Sequence, residues 1–312
     1  MLETVTGPVW GVGVRSALAH EHFFVDFCSP TSLAYMDVNW ADVTGACVES
    51  AAQLRVQKID LLVDWTNIGV GRNVLLLREI SRRTGLKIIC PTGIYKDLVP
   101  PQLAKSSVDE LAAHFYSELT VGIEGTPIRA GWIKAATTES GPTRSETRIH
   151  RAAARAAKRA GATIGLHSPE APATHAVMKT LELEGFDVRR LVWAHAQLSD
   201  TADHIGIAKR GAMIQFDGIG ADRDDIFGGP TDDASMLERI AAMVEAGLGD
   251  RVLISADATV SANPVSSQYD RQNTYVYRTF VPKLRRRIGA KATRKVLRDN
   301  VVKAFRRGSK VR

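Results

Sequence analysis

Three cysteines in 312 residues, Cys28, Cys47 and Cys90, are too few and too scattered for a disulfide framework. With no Cys-x-x-Cys pair among them, a cysteine-built zinc site is also ruled out. No apolar run approaches the ~20 residues that cross a bilayer, so no membrane role is expected. The opening MLETVTGPVW lacks a basic start followed by an apolar core, and the expectation is a chain without a signal peptide, working in the cytoplasm. No Gly-x-Gly-x-x-Gly follows the first strand candidate; Gly69-Val70-Gly71 is only a fragment of that dinucleotide signature. There is no fixed-period repeat and no low-complexity linker, so residues 1–312 read as one domain.

The net charge of +7 belongs to one end of the chain. Residues 283–312 hold 13 Lys or Arg against one acid, Asp299, while the rest carries 28 basic and 33 acidic side chains. Such a basic, helical segment can bind nucleic acid or an anionic membrane surface, but a solvated helix face is the plainer reading. Phe305 is its only aromatic residue, which speaks against a single-strand-binding surface.

What the sequence does contain is an alternation of short apolar runs with longer amphipathic ones. Strands are predicted over Ala17–Asp26, Ile59–Trp65, Lys87–Pro91, Ala130–Ala135, Thr163–His167, Leu191–His195, Ala212–Asp217 and Val252–Asp257. Helices are predicted over Trp40–Gln57, Gly71–Thr84, Val108–Gly122, Ser145–Ala160, Pro172–Glu184, Thr201–Arg210 and Asp233–Ala246. Ser145 and Asp233 suit N-caps, and Gly85, Gly161, Gly185, Gly211 and Gly247 fall where helices should stop. Eight strand–helix units imply right-handed crossovers and a parallel sheet, α/β in class, which closes as a (β/α)8 TIM barrel. Residues 218–232 and 258–270 read as long loops on the barrel's C-terminal face, where function sits.

Chemistry-bearing residues gather at that face. In Leu18-Ala19-His20-Glu21-His22, strand periodicity points His20 and His22 the same way and Glu21 the other. Two imidazoles so placed suit one metal ion. His167, His195 and Asp257 each terminate an apolar strand, whereas His114, His150, His175 and His204 fall in helices and read as surface residues. Lys134 ends the fourth strand. It could snorkel to solvent or join a salt bridge; alternatively, its neutral amine could take up carbon dioxide as a carbamate, an anionic oxygen donor able to bridge two metals.

With these residues in hand, the chain resembles the phosphotriesterase family of the amidohydrolase superfamily. The resemblance runs from Thr6-Gly7-Pro8 to Asn300, through His20-Glu21-His22, Thr66-Asn67-Ile68-Gly69-Val70-Gly71-Arg72, Thr92-Gly93-Ile94-Tyr95, Gly131-Trp132-Ile133-Lys134, Gly165-Leu166-His167, Ala194-His195 and Asp257. It implies two divalent ions, zinc first with manganese, cobalt or iron as alternatives. His20, His22 and Asp257 would hold the more buried ion, His167 and His195 the more exposed one, and carboxylated Lys134 would bridge both together with a hydroxide. Departures are Ala194 for the usual Gly, Ala256 where relatives often have His, and a loop Ala258–Pro264 unlike that of organophosphate-degrading members.

The implied reaction is hydrolysis, with Asp257 as general base. Lactonases of the family place a Tyr and an Arg at the mouth, which Tyr95 and Arg223 would match; Arg223 could equally be in a surface ion pair with Asp222, Asp224 or Asp225. The expected substrate is a carboxylic ester or lactone, with phosphotriesters as a side activity and an amide as an alternative. A homodimer is expected from the family, and nucleic acid is not an expected partner.

Overall fold

The computed structural model describes residues 1–220, 231–263 and 273–308. An antiparallel hairpin, Leu2–Thr4 with Gly7–Val9, precedes the barrel. The barrel strands are β1 (Ala17–Val25), β2 (Leu61–Asp64), β3 in two pieces (Lys87–Ile89 and Pro91–Gly93), β4 (Trp132–Ala136), β5 (Ile164–His167), β6 (Leu191–Ala194), β7 (Met213–Phe216) and β8, also in two pieces (Val252–Ile254 and Ala258–Ala262). All are paired in parallel.

The broken strands explain the closure. The first piece of β8 pairs with β7, Phe216 opposite Ile254, and its second piece pairs with β1, Ala258 opposite Glu21 and Thr259 opposite His22. β3 divides likewise between β2 and β4. The chain therefore forms one closed parallel ring, the TIM barrel. Two sequence expectations change here. Residues 258–262, read as loop, are strand, and the predicted Val252–Asp257 strand stops at Ile254 because Asp257 takes φ 53°, outside the extended region.

Around the ring lie α1 (Trp40–Val56), α2 (Val74–Thr84), α3 (Val108–Thr120), α4 (Arg144–Ala160), α5 (Ala171–Leu183), α6 (Thr201–Lys209) and α7 (Asp233–Glu245). α2 starts later than predicted, after Asn73 caps it by accepting from the Leu76 amide. α4 starts earlier: Thr143, not Ser145, is its cap, in a capping box with Glu146. Asp232 rather than Asp233 caps α7. None of the described helices is long and apolar enough to cross a membrane.

The basic end of the chain is part of this packing. α8 (Val281–Arg294, kinked at Gly289) and α9 (Asn300–Phe305) bury Leu284, Val301 and Phe305. Several of their cations pair with acids of α7 and the turn after it: Lys283 with Asp233 (2.6 Å), Arg287 with Glu238 (2.9 Å) and Glu245 (3.0 Å), Lys303 with Asp250 (3.1 Å).

Inside the ring an aromatic column rises from α9 to the mouth. The Phe305 ring meets Trp132 at 5.4 Å, Trp132 meets Trp65 at 4.4 Å, and Trp65 stacks on His20 at 3.9 Å. Gly165 makes room for it, because a Cβ there would lie 2.4 Å from Trp132 and 2.7 Å from Trp65. Phe305 is 1 % exposed, so truncating it opens a cavity at the foot of the column. Phe305→Ala should cost about 3–5 kcal/mol of stability, read as a lower urea midpoint at unchanged slope.

Candidate metal centre

His167, His195, Asp257 and Tyr95 sit at the C-terminal end of a strand piece or past it, while His20, His22 and Lys134 lie within their strands, and the barrel brings them to one mouth. His20 and His22 come from β1, Lys134 from β4, His167 from the end of β5, and His195 directly follows β6. Asp257 lies in the break of β8. Tyr95 follows β3. Arg223 lies outside the described residues.

The hydrogen bonds fix which ring atoms are free. His22 Nδ1 is 2.7 Å from the Thr66 hydroxyl, which spends its proton on the Phe24 carbonyl (3.1 Å). His22 must therefore donate from Nδ1, leaving a lone pair on Nε2. Asp217, fully buried, accepts from His20 Nδ1 (2.8 Å) and His195 Nδ1 (2.9 Å), which puts the lone pair of each ring on Nε2. Asp217 also accepts from Gln215 and Gln197 (3.1 Å each) and from the His195 amide.

Three lone-pair atoms then face one another. His20 Nε2 and His22 Nε2 each lie 3.2 Å from Asp257 Oδ1, and the His20 atom is buried without a hydrogen-bond partner. Two bare nitrogens against a carboxylate oxygen repel unless a cation sits between them. Their 3.2 Å spacing is about the edge of a tetrahedron with 2.0 Å bonds, so these residues fit a metal ion. A second pair adjoins: His195 Nε2 is 2.6 Å from His167 Nδ1, with the His20 and His195 rings 5.4 Å apart. These two nitrogens can share a proton, or both can turn to a cation when His167 carries its proton on Nε2, toward the Tyr95 hydroxyl at 3.2 Å. His20, His195 and Asp217 also cluster closely, but there the Nδ1 protons already fill the gaps, so that group supports the site rather than forming another.

Charge states suit this arrangement. Burial lowers His20 to about 4, lowers His22, and with the His195 and Lys134 charges takes His167 well below its ordinary value. All three are neutral donors at neutral pH. Burial works to raise Asp257, and only positive charge among the surrounding rings, a proton or a bound cation, lowers it; Asp217 is lowered by His195 and His20, which donate to it. Lys134 is 3 % exposed, and burial lowers its amine to about 8 against the pull of Asp257, Asp64 and Asp217. Its Nζ lies over the rings of Trp65 (5.5 Å) and Tyr95 (5.2 Å), inside the barrel and not out among the helices.

Support around the site went unread in the sequence. Glu21 points away from the mouth, as expected, but its carboxylate accepts from Ser255 Oγ (2.6 Å) and the amides of Ala256 (3.0 Å) and Ala258 (2.9 Å). Those amides bracket Asp257 and hold its left-handed backbone. His195 shares that rare conformation, at φ 62°, so two of the six described non-glycine residues with positive φ lie at the mouth. His150 and His204 are not surface residues. Both are buried, and their Nε2 atoms bond the carbonyls of Ala136 (2.9 Å) and Ala196 (2.6 Å), fastening α4 and α6 to the strand ends beside Lys134 and His195.

Comparison with known proteins gives the family. The phosphotriesterase family profile matches residues 1–305. The phosphotriesterase homology protein of Escherichia coli is 30% identical over 274 residues, covering 86% of this chain and 89% of that protein. A mutant of organophosphorus hydrolase from Deinococcus radiodurans superposes with a TM-score of 0.88 at 28% identity, covering 98% of this chain and 97% of that one. A mutant of a PTE-like lactonase from the same organism gives 0.84 at 27% identity, covering 98% and 100%. The chain is a hydrolase and belongs to the phosphotriesterase family.

Proposed function

We propose that the protein hydrolyses a carboxylic ester or lactone at a centre of two divalent ions, with phosphotriesters turned over as a side activity. The observation that carries this reading is the bare Nε2 atoms of His20 and His22 facing Asp257 Oδ1 at 3.2 Å. His20, His22 and Asp257 would hold one ion, and His167 and His195 the other. Lys134, as a carbamate, would supply an oxygen donor to both. Carbamate formation needs the neutral amine, and an amine lowered to about 8 is roughly one-tenth neutral at pH 7. Zinc suits the imidazole and carboxylate donors; manganese, cobalt and iron share that chemistry. When bound, such ions lower the pKa of water and polarise an ester or phosphoryl oxygen.

The chain's own residues do the rest. Asp257, ionised and 13% exposed, accepts the proton of the attacking water and hands it on as general base. Asp217 and Thr66 keep the imidazoles in the tautomer that leaves Nε2 bare. The Tyr95 hydroxyl stands at the rim, where it can position the substrate oxygen, and the Tyr95 and Phe27 rings, 6.0 Å apart, form an apolar wall beside it. The lactonase and organophosphorus hydrolase among the similar structures support esters and phosphotriesters, while the N-acetyltaurine hydrolase of Tetraodon nigroviridis, 26% identical over 96% of this chain, supports an amide as the alternative. The enzyme is read as a cytoplasmic homodimer with one catalytic domain per chain, and gel filtration checks the assembly.

The experiment is a substrate screen. Enzyme purified with zinc, manganese or cobalt supplied is assayed on lactones, aryl esters, phosphotriesters and N-acyl amides. Lactone or ester turnover that disappears on chelation and returns with metal is expected. Full activity after the metal is stripped would end the reading, and turnover of amides alone would replace the substrate class.

A further inference from the structure

A second cluster of charge lies at the other end of the barrel, beneath the starts of β5, β6 and β7. A cleft of about 250 Å³ there is lined by Arg189, Arg190, Arg251, Lys303 and Arg306, with Asp187 its only acidic wall among the described residues. Part of this charge is spent. Arg189 pairs with Asp187 at 2.8 Å, and Lys303 reaches Asp250 outside the cleft at 3.1 Å. The other three cations have little to balance them. Arg251 comes no nearer than 3.8 Å to Asp250, and the Arg306 side chain has no partner among the described residues.

Arg190 and Arg251 are nevertheless held in place. Each gives one guanidinium N–H to a backbone carbonyl at 2.7 Å, Arg190 to Gly161 and Arg251 to Gly211. The remaining N–H groups of both make no hydrogen bond among the described residues. Burial lowers the Arg190 guanidinium, Asp187 opposes this, and the charge of Arg306 adds to the lowering, so the two arginines repel. Fixed, uncompensated guanidinium groups around a small cleft are the arrangement that recognises a compact dianion.

We infer that this cleft is a binding site for a phosphate-type oxyanion, either free phosphate or the phosphoryl end of a small phosphomonoester, separate from the hydrolytic centre. The anion would take the unused N–H groups of Arg190 and Arg251 and the charge of Arg306, relieving their repulsion. His167 and His195 lie at the opposite ends of two of these strands, so the cleft is separate from the mouth.

The test is calorimetric titration of the full-length, metal-loaded protein at constant ionic strength, with inorganic phosphate in one arm and glycerol 3-phosphate in the other. Saturable binding of one anion per chain is expected, weakened about tenfold or more by Arg306→Gln. Arg306 is exposed and its side chain has no partner among the described residues, so this variant should fold, which an unchanged melting temperature confirms. Arg286→Gln, removing an exposed arginine of α8 away from the cleft, should leave the affinity alone. Tighter binding of the phosphomonoester would identify the ligand as an ester, the reverse as free phosphate. Binding of neither, binding indifferent to Arg306→Gln, or equal weakening by Arg286→Gln would each overturn the site.

Discussion

Asp257→Asn should lower kcat/KM for the best substrate by about 10³-fold or more while leaving the fold intact. The substitution preserves shape but removes the negative charge that His20 and His22 face at 3.2 Å, and with it the base that takes the proton. The left-handed backbone at this position favours the change, since Asn tolerates that conformation as well as Asp does. The Glu21 bonds to the flanking amides also remain. Loss of activity with unchanged far-ultraviolet circular dichroism and melting temperature would locate the defect in chemistry. Activity within a fewfold of the parent would remove Asp257 from the mechanism.

Asp217→Asn should weaken both bound cations at once. One carboxylate holds the Nδ1 protons of His20 and His195, which belong to different halves of the centre. An amide can accept from only one of them, and its own N–H₂ would face the other ring's donor. Removing such a partner typically costs about 10–100-fold in metal affinity. Competition with a chromophoric chelator should show both zinc ions released more readily. Thr66→Val is the contrasting case: Thr66 supports His22 alone, so one ion should weaken and the other stay. Equal affinities in parent and Asp217→Asn would mean that the imidazole tautomers are set by something else.

The mouth was readable in the sequence because each donor interrupts or ends an apolar run. His167, His195 and Asp257 stand at strand ends, and a barrel brings strand ends together. Asp217 ended the predicted seventh strand in the same way, but its role depends on His20, 197 positions earlier, and no local pattern records that pairing. His150 and His204 carry a local signal of burial. His150 precedes Ala153 and Ala157 by three and seven residues, and His204 precedes Ile207 and Ala208 by three and four, so both share a helix face with buried neighbours. The start of α4 was misplaced for a similar reason, since Thr143 and Glu146 spell a capping box that outranks Ser145. The break in β8 had no sequence mark at all. It follows from bonds across the seam to Glu21.

The basic end of the chain combines a solvated face with a packing surface. Lys283, Arg287 and Lys303 pair with the acids of α7 and with Asp250, while Arg285, Arg286, Lys291, Arg294 and Lys295 are exposed, as a solvated helix face should be. The segment's apolar side closes the floor of the barrel through Val301 and Phe305.

Anomalous diffraction at the zinc edge, from crystals of zinc-loaded enzyme, tests the metal centre most directly. Two peaks per chain are expected: one among His20 Nε2, His22 Nε2 and Asp257, the other between His167 Nδ1 and His195 Nε2, with Lys134 extended as a carbamate toward both. A single peak, or none among these six side chains, or an unmodified Lys134 amine lying apart from the metal, would contradict the account.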